Sequence, residues 1–340
     1  MPTVPERPPS AGADNGGPEV TICSVVFGDK WCLDLNRDLT RRLNPGRDAH
    51  WRVVRNRPHQ PQDKFDPGDP YEVIDGVELP EELRGVHNAR SHHHAAALAL
   101  ASIDIGTRFV LFLDGDCFVT RPGWFAEVTE HMLAQELAFF GVPYHPRQPS
   151  KLRYFPCAVW LMVDTARVDV ASFDWMPGSG QAPPRAGTSD RVWRALLSGE
   201  SNRHRLRVES STDTGSSVYR RYRSEQTVRS ECVVPVLTVG HLRVRDRHPR
   251  QILLEKLLPD RYCTIPRRDD YFTDVGFAAH GLPDMSAVGC EEYMWRGDPF
   301  ALHLRGGPPE LRGDPSALAE LLDRLERSPV GSAPSSEMTA

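Results

Sequence analysis

Asp114 and Asp116, held apart by Gly115, are the residues of this chain best suited by type and spacing to hold a cation. They close an unbroken apolar run, Phe109 to Leu113, and a second apolar pair, Phe118 and Val119, follows them. Ionised carboxylates are rarely buried without partners, because removing them from water is costly. A pair of them at a break in buried structure makes sense where a divalent ion bridges protein and ligand. The competing reading is a solvated Asp-Gly turn after a strand.

Three other stretches carry reactive side chains. His92, His93 and His94 follow Ser91 on a helical pattern. Neighbouring helical residues point roughly 100° apart, so the three imidazoles cannot share one ion, although one of them can face a ligand. Asp213-Thr214-Gly215 precedes a helical stretch with Tyr219, Arg220 and Arg221. Asp213 there is either a general base or an N-terminal cap of the helix. Near the end stands His303-Leu304-Arg305. Glu291 and Glu292, before Trp295, read as a solvated pair more readily than as acceptor-side groups. The arginine-rich segment 243–250 reads as a solvated face.

The elements that must position these groups alternate between strand and helix through the first half. Apolar residues 20–27 predict a strand ending at Gly28, and 31–43 a helix. A second strand covers 51–54, and 57–80 is a polar loop rich in Pro and Asp. A helix over 88–103, with the alanine-rich core 95–101, feeds the 109–113 strand, whose continuous apolar run suits a parallel sheet. Pro122 stands at the first position of a helix reaching 136. Strands follow at 138–142 and 158–163. This order predicts a doubly wound α/β domain, and open sheets of that class bind ligands beyond the carboxyl ends of their strands. The second half reads less regularly: a Gly/Pro-rich loop at 177–187, a helix at 190–197, strands at 232–239 and 300–304, and an amphipathic helix at 315–326.

The chain has 340 residues, enough for one substantial domain or two smaller ones. A net charge of -5 argues against general nucleic-acid binding, which needs a basic surface. The 7 cysteines form no Cys-x-x-Cys pair, which argues against a zinc ribbon or redox motif. Residues 1–18 lack the apolar core of a signal peptide, and no run approaches the roughly 20 apolar residues of a membrane span. The expectation is a cytoplasmic protein without a transmembrane segment, with disordered tails at 1–18 and 329–340.

Taken in order, the His-rich helix, Phe112-Leu113-Asp114-Gly115-Asp116, Asp213-Thr214-Gly215 and His303-Leu304-Arg305 resemble the GT-A fold glycosyltransferases, over about residues 19–307. The resemblance implies a Rossmann-like fold with a mostly parallel central sheet flanked by helices and a more irregular acceptor side. The nucleotide-sugar half would be 19–119 and the acceptor half 120–310, followed by a helix at 311–328. It implies Mn²⁺ or Mg²⁺ bound directly by Asp116. Asp114 would hold ribose hydroxyls, or the metal through water, and His303 would complete the shell. Arg305 would face a phosphate, His92 or His94 and Asn56 the nucleotide, and Asp213 would act as base in an inverting transfer. The partners implied are a nucleoside diphosphate sugar and an acceptor hydroxyl on a glycan, a lipid or a small secondary metabolite.

Alternatives fit less well. A non-catalytic nucleotide-sugar binder of the same fold needs the same residues. A phosphohydrolase of the haloacid-dehalogenase type places Thr or Val where Phe118 stands. A nucleotidylyltransferase needs a Gly-rich phosphate loop after its first strand, and Gly28-Asp29-Lys30 is not one.

Overall fold

The computed structural model describes residues 19–56, 64–78, 89–146, 154–177, 213–222, 227–237 and 272–327. In chain order the elements are β1 (Val20–Val26), α1 (Lys30–Leu43), β2 (Ala49–Arg55), β3 (Glu72–Asp75), α2 (Ala89–Ala101), β4 (Phe109–Asp114) and β5 (Cys117–Val119). Next come α3 (Trp124–Ala134), β6 (Leu137–Gly141), β7 (Trp160–Asp164), α4 (Ser216–Tyr222), β8 (Arg229–Cys232) and β9 (Val234–Pro235). β10 (Glu291–Trp295), β11 (Asp298–His303), α5 (Pro309–Gly313) and α6 (Pro315–Arg327) complete them.

Seven strands form the central sheet in the order β3-β2-β1-β4-β7-β6-β8. β1 pairs in parallel with both β2 and β4, and β2 with β3. β7 runs antiparallel to β4 and β6, and β6 is parallel to β8. The sheet is therefore mainly parallel, as expected. The chain leaves β1 toward β2 and β3, then returns to place β4 on the other side of β1. That reversal makes the gap between the ends of β1 and β4 the topological switch point, where ligands of such sheets lie.

Alternation along β4 explains why the sheet is covered on both faces. Phe109, Leu111 and Leu113 join the core shared with α1, α3 and α6, while Val110 and Phe112 join the core under α2. The small residues Ala95, Ala97 and Ala101 let α2 approach closely, and Leu98 fills the space between them. A strand apolar on both sides is what the unbroken run of β4 requires.

A second sheet, β5-β11-β10-β9, carries the rest of the core; of it, the 300–304 segment and the stretch holding β9 were anticipated, β5 and β10 were not. Its strands are short and include Glu291 and Glu292, whose acidic side chains read as surface. Both are buried instead, at 2% and 0% exposure. Glu292 accepts hydrogen bonds from the backbone N–H groups of Phe277, Met285 and Ser286, so a carboxylate stands in for missing ladder partners.

Three further expectations are corrected. Residues 57–80 are not loop throughout, because β3 pairs with β2. Its signal is weak since cross-strand ion pairs (Arg52 and His50 to Glu72, Arg55 to Asp75) replace an apolar run. The helix placed from Pro122 begins at Trp124, after Gly123 in the left-handed conformation (φ 69°). Its start is fixed by Asn44 Oδ1, which accepts from the Phe125 N–H at 2.9 Å. The strand at 232–239 divides, β8 joining the central sheet and β9 the second one. The loop 177–187 beyond its first residue, the helix 190–197, the basic segment 243–250 and both tails lie outside the described residues.

Candidate metal and donor site

The two sheets meet at the acidic turn. Asp114 is the last residue of β4 in the central sheet, and Cys117 is the first residue of β5 in the second. Gly115 and Asp116 make the crossing. On the inner side, buried Asn36 of α1 donates from Nδ2 to the carbonyls of Cys117 at 2.7 Å and Gly115 at 3.3 Å. On the other side the Leu304 N–H donates to the Asp116 carbonyl at 3.1 Å. The backbone of the turn is thus held from both ends of the chain.

Register then delivers the histidine. β11 pairs antiparallel with β5, and His303 stands opposite Cys117, beside Asp116. Its Nε2 lies 3.3 Å from Asp116 Oδ1, and its Nδ1 lies 2.7 Å from Glu291 Oε2. One ligand atom from each of Asp114, Asp116 and His303 can be chosen so that all lie within 4.8 Å of one another. Two carboxylates and an imidazole converging at that spacing form a donor set for a hard to borderline divalent ion.

The electrostatics of this cluster are strongly coupled. Burial alone would lower the His303 pKa, but the adjoining Asp116 and Glu291 carboxylates outweigh it and lift it to about 10. Burial raises the Asp116 carboxyl, yet His303 prevails and holds it below the usual carboxylate range. Desolvation, followed by Asp116 and Asp114, pushes the buried Cys117 thiol far upward, so this cysteine is an inert apolar filler.

These residues line one cavity of about 350 Å³ at the switch point. The end of β1 contributes Val25, Phe27 and Asp29, and α2 contributes Ser91 and His94. The acidic turn, Tyr144, Ala158, Val159, Thr214, His303 and Arg305 close the remainder. His94 Nε2 lies 3.4 Å from Asp114 Oδ1 and its ring meets Phe27 edge-on at 6.2 Å, so α2 presents one imidazole to the acidic turn. Arg305 stands in a tight reversal after β11. Gly306 adopts φ 79° there, and a side chain at Gly307 would strike Cys290 Sγ.

Of the residues singled out from sequence, Asp114, Asp116, His94, His303 and Arg305 come together in this cavity. His92, Asn56 and Asp213 are not among its lining residues. Asn56 follows β2 and donates from Nδ2 to the His93 carbonyl at 3.3 Å, tying the first turns of α2 to the sheet. His92 is half-buried on α2. Asp213 is buried, at 5% exposure, and the residue after it, Thr214, reaches the cavity wall and donates to the Ser91 carbonyl at 3.2 Å. α4 begins at Ser216, so Gly215, not Asp213, directly precedes the helix.

Asn36 escaped sequence reading, and Glu291, read as half of a solvated pair, is instead buried behind His303. Asn36 is a neutral amide within a charged helix, and nothing local marks it as reaching a turn 79 residues away. For Glu291 the available signal was the strand pattern of β10, whose aromatic and apolar residues Tyr293, Met294 and Trp295 follow the acidic pair.

No family model and no curated protein sequence matches the chain. Solved structures with a similar backbone include the galactosyltransferase LgtC in complex with donor and acceptor sugar analogs. It has 12% identity and a TM-score of 0.40, covering 92% of this chain and 98% of that one. The mannosyltransferase PcManGT from Pyrobaculum calidifontis, in complex with GDP-Man and Mn²⁺, has 14% identity and a TM-score of 0.30, over 53% and 61% of the two chains. The glycosyltransferase GlyE of Streptococcus pneumoniae TIGR4 has 11% identity and a TM-score of 0.30, over 74% and 52%. Likeness at this level carries no argument, and the functional reading rests on the chain's own residues.

Proposed function

We propose that this protein is a metal-dependent glycosyltransferase of the GT-A type, moving a sugar from a nucleoside diphosphate donor to an acceptor hydroxyl. The observation that carries the reading is the meeting of Asp114, Asp116 and His303 in a cavity beyond the carboxyl ends of β1 and β4. The donor set fits a resident ion: two hard carboxylate oxygens suit Mn²⁺ or Mg²⁺, and the imidazole favours Mn²⁺. Asp114, Asp116 and His303 would hold it. When bound, such an ion supplies Lewis-acid neutralisation of the charge that builds on a departing diphosphate.

The chain's own groups supply the rest. Arg305, at the cavity wall, offers a planar donor fork matched to phosphate oxygens. His94 orients the Asp114 carboxylate, leaving its other oxygen for a ribose hydroxyl or the ion. Phe27, Val25 and Val159 give the cavity apolar walls that limit water near the anomeric carbon. In the finer reading the transfer inverts, with Asp213 deprotonating the acceptor hydroxyl. Its support is the buried carboxylate directly before Thr214 at the wall. Asn56 serves by tying the first turns of α2 to the sheet.

A thermal-shift panel of nucleoside diphosphates, with and without Mn²⁺, tests the reading. A ligand at about 100 times its Kd adds about 2.7 kcal/mol of stability. The expected result is a shift for one base that requires the metal, and turnover of the matching nucleotide sugar. No metal-dependent shift with any nucleotide would sink the proposal. Asp213→Asn should abolish turnover and leave nucleotide affinity largely intact; full activity would remove Asp213 from the mechanism.

A further inference from the structure

Glu291 is the direct cross-strand partner of His303 in the β10–β11 ladder, so the two side chains leave the same face of the second sheet. Glu291 is buried, at 2% exposure, and its Oε2 lies 2.7 Å from His303 Nδ1. The same oxygen accepts from the Tyr293 hydroxyl at 3.1 Å. Burying a carboxylate behind a histidine is costly, and these two hydrogen bonds are what offset it.

We infer that Glu291 is a positioning residue for the ion, fixing His303 as a metal ligand through its tautomer and ring orientation. The inference rests on the metal reading above. An ionised carboxylate only accepts hydrogen bonds, so His303 must place its N–H on Nδ1, toward Glu291. Nε2, 3.3 Å from Asp116 Oδ1 and facing the cavity, is then the nitrogen whose proton an ion displaces. Tyr293 holds the accepting oxygen in line and keeps the carboxylate from rotating away. This is the arrangement by which a carboxylate behind a ligating histidine raises its basicity and fixes its ring. It also explains why β10 carries a buried carboxylate at 291 on the face it shares with His303. Replacing Glu291 by Gln would keep the shape but add an amide donor. That donor can bond to Nδ1 and select the opposite tautomer, in which Nε2 bears the proton and cannot bind a cation.

Calorimetric titration of the whole 340-residue chain with Mn²⁺ alone tests this without any turnover assay. Glu291→Gln should bind Mn²⁺ about 10–100-fold more weakly than the unaltered chain. In a His303→Ala background the same change should have no further effect, because the residue it positions is gone. Tyr293→Phe, which removes one hydroxyl, should weaken binding by a smaller factor and decides the matter if Glu291→Gln does not fold. If the unaltered chain binds Mn²⁺ and both variants bind it equally well, the role of Glu291 is overturned while the metal site stands. Equal weakening with and without His303 would also overturn it, since the damage would then be general. If the unaltered chain binds no Mn²⁺, the metal reading falls and takes this inference with it.

Discussion

His303 stands between two carboxylates, Asp116 on Nε2 and Glu291 on Nδ1, and this fixes how the site answers to pH. Burial disfavours the imidazolium, but the two carboxylates outweigh it and its pKa rises to about 10. The ion-free side chain therefore carries two protons at neutral pH, and an ion at Nε2 must displace one. Mn²⁺ affinity should accordingly climb as pH rises from neutrality and level off near pH 10. At pH 7 about one proton should leave per ion bound, read from calorimetry in buffers of different ionisation enthalpy. Binding without proton release would exclude His303 from the shell. At this scale the candidate ligands were legible because Asp and His in sparse, ordered motifs are chemically conspicuous. Asn36 and Glu291 were not. An amide that clamps a turn and a carboxylate that serves a histidine act across the fold, and only the folded chain shows their partners.

At the scale of elements, the strands of the central sheet could be read because apolar runs such as Phe109 to Leu113 are buried on both faces. The second sheet could be read only in part, at β11 and the stretch holding β9, since β5 is too short to show a period and β10 opens with two acids. Glu292 shows what those acids do structurally. Its two oxygens take three backbone N–H groups from the segment 277–286, at 2.7 to 2.9 Å, and lock that segment onto β10. Burial pushes its pKa up against the pull of the three donors, the balance of a carboxylate used as an internal cap. Glu292→Gln replaces one accepting oxygen with a donor facing N–H groups. It should cost about 1–3 kcal/mol in urea unfolding. An unchanged midpoint would mean that the segment is held by its apolar contacts, Phe277 and Met285, and not by the acid.

For the whole molecule, the decisive feature is that the candidate ligand set is divided between two sheets. Asp114 belongs to the central sheet, His303 to the second, and Asp116 to the crossing between them. An ion held by all three would join the two sheets, so its binding energy should appear as protection in both. The reporting amides are present: Asp114 N–H donates to the Val159 carbonyl at 2.9 Å, and Leu304 N–H to the Asp116 carbonyl at 3.1 Å. Hydrogen exchange with and without saturating Mn²⁺ should show slowing at both positions together, by up to about 100-fold at 100 times Kd. Asp116→Asn should remove the slowing at both. Protection confined to the β4 end would place the ion on the central sheet alone, with His303 left as a structural partner of Glu291. The order of motifs foretold the first sheet, its acidic terminus and His303 as a partner, but not that His303 comes from a second sheet. That placement depends on the β5–β11 register, which pairs residues 186 positions apart, His303 opposite Cys117.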